Sequence, residues 1–326
     1  MKVPALGALS LAMLVTNHAL AWCRVNTCDR EGAPASTCRT AGPSECIVQG
    51  KPVAWPNSCV STSVSAKGSP KRGITADEMR QIVQDAFKQW SSVDCGGGQT
   101  PSIVVDTFPD VNCTEVLGDA GYKPLGPNYN VWIFRDDSWP LGAVAEDTIA
   151  ITTTSFTVED GVIFDADVEL NSFGQNFTTG LDIVDIDLPS VVQHESGHFL
   201  GLAHSASTEA TMYFSVKSGD LPRRSLSPDD VAGICAIYPS GNLDPNCDPE
   251  PRHGFSTECT FDKGSCTIAP GHKGRHRGIS GTMFLCSLLA LSAVRRKRCP
   301  LNAQANQGCA ANPREEHCHS AAIPLV

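Results

Sequence analysis

His194, His198 and His204 stand within one short stretch, "HESGHFLGLAH", and no other histidine lies between His18 and His253. His194 and His198 are four apart, which on a helix sets both imidazoles on one face, one turn apart, so that both reach a single metal ion. Glu195 is angled away from direct ligation but can touch a metal-bound water. Gly201 falls where a sharp turn out of the helix needs positive φ without a Cβ clash, and His204 then swings back as a third ligand. The string reads H-E-x-x-H-x-x-G-x-x-H, which leaves a zinc ion a fourth position open for water. Three neutral imidazoles leave the ion its positive charge, which acidifies that water and polarises a carbonyl. Glu195 would take the water's proton and deliver it to a departing amine. The implied reaction is metal-assisted amide hydrolysis. Three surface histidines on a polar helix would explain neither the glycine nor the scarcity of imidazole elsewhere.

The elements that must hold this stretch follow from periodicity. A helix is expected from about Leu188, with Pro189 in its first turn, to about Leu200. "TADEMRQIVQDAFKQW" (75–90) reads as a second helix, with Thr75 as cap and Glu78 in capping-box position. Its Met79, Ile82, Val83, Ala86, Phe87 and Trp90 share one face. "SPDDVAGICAIYP" (227–239) reads as a third, capped by Ser227 and stopped by Pro239. Runs of strand character begin at Cys59 and cover 102–108, 130–137, 147–156 and 161–171. This order is α+β, in one domain spanning 54–240.

The flanks differ in composition. Lys2, an apolar run from Val3 to Val15 and Ala19-Leu20-Ala21 read as a secretory signal peptide, 1–21, against a buried helix as the plainer alternative. Trp22 before Cys23 is too large for a lipoprotein site, which favours soluble export. Fifteen cysteines, clustered at both ends, suit disulfide-stapled flanks in an oxidising compartment, with connectivity unassigned. Residues 22–53 read as a Cys-rich N-terminal segment or pro-region, 241–278 as a Cys-containing linker and 299–326 as a tail. Between them, 279–298 joins sixteen apolar residues to Arg295-Arg296-Lys297-Arg298. It could attach the chain to a membrane or cell envelope, or form a buried helix. A net charge of −10 argues against nucleic acid as a partner.

The residues resemble the metzincin zinc metalloproteases. After the three histidines the family carries a methionine turn, supplied here by Met212 in "EATMYF". Ser205 directly after His204, and Tyr213 directly after Met212, resemble the matrixin branch, and the likeness extends over residues 70–240. It implies a zincin-like fold: a twisted, mostly parallel β-sheet with an active-site helix and a C-terminal helix. It also implies a secreted zinc endopeptidase acting on protein or peptide substrates. His194, His198 and His204 would bind the catalytic zinc, Glu195 would be general base, Met212 the floor beneath the metal and Tyr213 part of the pocket wall. The chain departs from the family twice. With no histidine from 19 to 193, the structural zinc that matrixins commonly carry is expected to be absent, and the "PRCGxPD" switch is missing. Asp165, Asp167 and Glu169 alternate on an expected strand and could hold calcium, or form a solvated face. The competing readings are a non-catalytic zinc-fold surface module and a disulfide-rich structural envelope protein.

Overall fold

Thr75 opens helix α1 (Ala76–Ser92) by accepting the Glu78 N–H at 3.1 Å. The expected capping box is only half closed, because the Glu78 carboxylate instead accepts from the Thr179 hydroxyl at 2.7 Å. Met79, Val83, Ala86, Phe87 and Trp90 are buried along one side of α1, as the 3.6-residue period requires. Helix α2 (Leu188–Phe199) carries Pro in its first turn and is capped by Asp187, whose carboxylate accepts the Ser190 N–H. Helix α3 (Pro228–Ile237) has a complete capping box between Ser227 and Asp230.

The computed structural model describes residues 21–28, 38, 42, 45–114, 126–139, 147–182, 184–219, 221–259 and 318–326. The chain divides into two units, residues 1–259 with 308–326 and residues 260–307. The apolar run and basic cluster at 279–298 belong to the second unit, and both they and residues 1–20 of the expected signal peptide fall outside the described residues. Among the described residues no helix is long and apolar enough to cross a membrane.

Among the described residues ten strands accompany the helices: β1 (Cys23–Arg24), β2 (Cys59–Val64), β3 (Val104–Thr107), β4 (Val131–Phe134), β5 (Ala150–Thr157), β6 (Ile163–Leu170), β7 (Phe177–Thr178), β8 (Ile186–Asp187), β9 (Leu202–Ala203) and β10 (Cys318–Leu325). Six form one mixed sheet in the order β10-β5-β6-β4-β2-β3. The β2–β3, β2–β4 and β4–β6 pairs are parallel, whereas β5–β6 and β10–β5 are antiparallel. The region read as a tail therefore ends in a strand of the main sheet. Its sequence hides this, since Ala322 blunts the alternation of Ala321, Ile323 and Leu325, and Pro324 argues against a strand.

Helices α1 and α2 share the main apolar core with the sheet. Trp90 is fully buried and donates its indole N–H to the Gln193 carbonyl at 2.9 Å. Phe87 meets Phe199 edge-on with ring centres 4.9 Å apart. At the end of α2 the carbonyls of Phe199 and Leu200 accept from the Trp55 indole (2.8 Å) and the Tyr238 hydroxyl (2.9 Å), so carbonyls with no helical partner are satisfied by side chains.

Among the described residues five disulfides close the unit: Cys23–Cys46, Cys28–Cys38, Cys59–Cys247, Cys95–Cys235 and Cys113–Cys259. The first two sit within the N-terminal segment. That segment is built into the fold: β1 pairs with β9, Val53 N–H donates to the Val25 carbonyl at 2.9 Å, and both valines are fully buried. Residues 247–259 are likewise tied to the body by Cys59 and Cys113.

Candidate metal centre

Helix α2 delivers His194 and His198 from its last turns, and the chain reverses at Gly201, whose φ is +93°. A Cβ there would also lie 2.7 Å from the Val53 carbonyl oxygen. Both the backbone angle and the close approach therefore demand glycine. Past this turn, β9 pairs with β1 and presents His204. The three rings gather with centres 4.6, 5.3 and 4.8 Å apart, and one nitrogen from each lies within 4.8 Å of the others. Among the described residues this is the group of three metal-ligating side chains that could hold an ion.

The protein chooses which nitrogens face inward. His194 Nδ1 lies 2.7 Å from the Thr211 carbonyl and His198 Nδ1 lies 2.8 Å from that of Leu202. A carbonyl can only accept, so each Nδ1 carries the hydrogen and each Nε2 keeps its lone pair for the centre. Those two Nε2 atoms are 3.0 Å apart, an arrangement suited to a shared cation. Burial pushes both imidazoles toward the neutral, ligating form, His194 well below the usual histidine range and His198 down to about 4.

Glu195 is fully buried beside them. Its Oε2 accepts from the Thr152 hydroxyl of β5, while Oε1 has no hydrogen-bond partner in the chain. In the metal-free protein burial pushes the carboxyl up to about 8, with the Thr152 hydrogen bond opposing, and a cation on the three imidazoles would favour its ionised form. One oxygen is thus anchored and the other is left to meet a reactant. Thr152 was not singled out from the sequence, because "ITTTSF" reads only as strand and nothing local links it to a residue 43 positions away.

Met212 lies under the helix. It is fully buried, and a Cβ on Gly197 would collide with its sulfur and come within 2.9 Å of Trp90. Gly197 therefore lets α2 settle onto the methionine. The turn around Met212 is held by Asp230, whose carboxylate accepts the N–H groups of Thr211 (2.8 Å) and Met212 (3.0 Å) as well as that of Ser227. Asp229 accepts from the Ser205 hydroxyl at 2.6 Å and from the N–H groups of Ala21 and Trp22. These two carboxylates brace Ser205, next to His204, and the turn around Met212. Tyr213 is half-buried, tilted against Phe214 at 4.7 Å and covered by Arg223 at 5.4 Å. The Phe214 ring in turn faces His204 at 6.3 Å.

The acidic run on β6 lies apart from this centre in its chemistry. Glu169 forms an ion pair with Arg135 at 3.3 Å, and Asp167 accepts the Val131 N–H at 2.8 Å. Asp165 is buried with them, and none of the three is without a partner in the chain.

Comparison with known proteins adds an independent line. Residues 135–239, which contain the histidines, Met212 and α3, match the matrixin family model of the M10 peptidases. The chain is 29% identical over 170 residues to metalloendoproteinase 1-MMP of Arabidopsis thaliana, covering 51% of this chain and 39% of that protein. It is 32% identical over 230 residues to metalloendoproteinase 2-MMP of the same plant, covering 67% and 51%. Stromelysin-1 of Mus musculus is 44% identical over 78 residues, covering 24% and 16%. The chain thus spans less than two thirds of the length of each of these relatives.

Proposed function

We propose that this matrixin-like metalloprotease chain is an exported zinc endopeptidase in which Glu195 is the general base. His194, His198 and His204 would hold the ion. A zinc ion bound there supplies a Lewis acid that acidifies a water and polarises the carbonyl to be attacked. Glu195 accepts the proton of the attacking water at Oε1 and hands it to the departing amine, while the Thr152 hydroxyl keeps Oε2 in place. Met212 and Gly197 set the depth of the helix, Asp229 braces Ser205 beside the third ligand, and Asp230 holds the turn around Met212. Tyr213 and Phe214 form a wall beside it, in keeping with the pocket role that the resemblance implies for Tyr213.

One observation carries this reading: two Nε2 lone pairs converge beside a buried carboxylate with an uncommitted oxygen. A purely structural metal site has no use for such a carboxylate, which weighs against the non-catalytic module. The five disulfides and the N-terminal leader pattern support export to an oxidising compartment. The test is Glu195→Ala in the zinc-loaded chain. Casein hydrolysis should fall by about 10²–10⁴-fold with zinc content unchanged. Activity that survives the substitution refutes the mechanism.

A further inference from the structure

The edge of the sheet nearest the candidate centre is not open. Strand β10 covers β5 in an unbroken antiparallel register from Cys318 opposite Thr157 to Leu325 opposite Ala150. At its end the ladder continues on both sides. Ile149 N–H donates to the Leu325 carbonyl at 2.8 Å, whereas Val326 exchanges bonds with the other wall. Its N–H donates to the Phe214 carbonyl at 3.2 Å, and its carbonyl accepts from Val216 N–H at 3.0 Å. The strand's end is therefore gripped between β5 and residues 214–216. These are the two walls that reach the centre, since Thr152 of β5 bonds Glu195 and Phe214 faces His204. Ile323 is the register partner of Thr152 itself.

Leu325 is the anchor, fully buried in the main core together with Ala150 and Val216. Ala321 is fully buried too, in a cluster with Val25, Val53, Phe156 and Ile163, and Ile323 packs less completely against that cluster. The segment is otherwise slight: Ala322 is exposed and Pro324 half-buried, and Pro324 has no N–H to give. Main-chain bonds supply most of the attachment and one leucine the side-chain grip. This is how an extended peptide adds to a sheet edge, and such a strand can leave without dismantling what lies beneath.

We propose that residues 318–326 are a built-in occupant of the groove between β5 and residues 214–216, closing the candidate centre to an extended peptide until the strand is displaced. This rests on the peptidase reading above for its consequence, though not for its geometry. Because the strand is tethered, it competes at high effective concentration, an advantage lost when it is supplied as a separate peptide.

The test compares three zinc-loaded proteins: the full chain, the chain ending at residue 317, and the full chain with Leu325→Asp. Both altered forms should hydrolyse a fluorogenic peptide panel at least tenfold faster. A labelled peptide of residues 318–326 should bind the shortened chain carrying Glu195→Ala, read by fluorescence anisotropy, and should inhibit the active shortened chain competitively. Folded, zinc-replete altered forms that work no faster than the full chain would overturn the proposal. So would failure to capture the peptide, or loss of the fold in both altered forms, which would make β10 structural. Capture of the peptide with no hydrolysis by any form would keep the occupant and sink the peptidase reading.

Discussion

On the helical side of the centre, His194, Glu195 and His198 come from adjacent turns of α2, and their relative positions follow from one helix's geometry. On the strand side, Thr152, Phe214 and Leu325 come from three separate segments, and only the folded sheet brings them together. The difference teaches where each kind of perturbation should be felt. The helical side is braced by large buried side chains, so damage there should appear as lost stability. The strand side is held by backbone ladders and single hydroxyls, so damage there should appear in turnover with the fold intact.

The strongest way to break that contrast is Trp90→Ala. Trp90 fills the space between α1 and α2 and bonds the Gln193 carbonyl just before His194. Its removal should cost about 3–5 kcal/mol in equilibrium denaturation. A cost below about 1 kcal/mol would mean the helical side is not packing-limited.

Acidity probes the same helix in the zinc-free protein, and the signs differ among its groups. His194 and His198 are lowered by burial, His198 to about 4, so their contribution is present above the ordinary histidine value of 6.5 and is lost as pH falls toward 4. Glu195 is raised by burial from 4.5 to about 8, so its contribution is present below 4.5 and is lost as pH rises through 8. From pH 8 to 6.5 the carboxyl acts without the imidazoles, and stability should rise as pH falls. Below 6.5 two imidazoles outweigh one carboxyl, and the trend should reverse. The denaturant midpoint of metal-stripped protein should therefore peak near pH 6.5. A midpoint that climbs steadily down to pH 4.5 would contradict the assigned burial.

The smallest expected effect lies on the strand side. Thr152→Val keeps the shape of the side chain and removes the hydroxyl that anchors Glu195 Oε2. We expect kcat to fall about tenfold, about 1.4 kcal/mol in the barrier, with KM and the denaturation midpoint nearly unchanged. A large loss of stability with unaltered kcat would erase the distinction between the two sides.

The same contrast explains what could be read from residues alone. The histidine spacing, Glu195 and the turn at Gly201 were legible because a helix and one positive-φ residue are local facts, and the +93° angle of Gly201 fits that reading. Helix α1 was legible for the same reason, down to its buried face. Thr152, the bracing by Asp229 and Asp230, and β10 were not. Each depends on contacts between residues far apart in the chain, and sequence spacing carries no signal for them. Gly197 was visible as a letter, but its purpose needed Met212 beneath it. The acidic alternation on β6, open in the sequence to calcium or a solvated face, is buried rather than solvated, with Glu169 paired to Arg135 and Asp167 to a backbone N–H.

Everything proposed for the centre depends on a metal held by three imidazoles. The most direct check is zinc per chain, measured by native mass spectrometry on the purified protein and on His204→Ala. The account predicts one zinc per chain in the parent protein and a marked loss in the variant under the same buffer exchange. A parent protein that carries no zinc, or a variant that retains it equally well, would contradict the account.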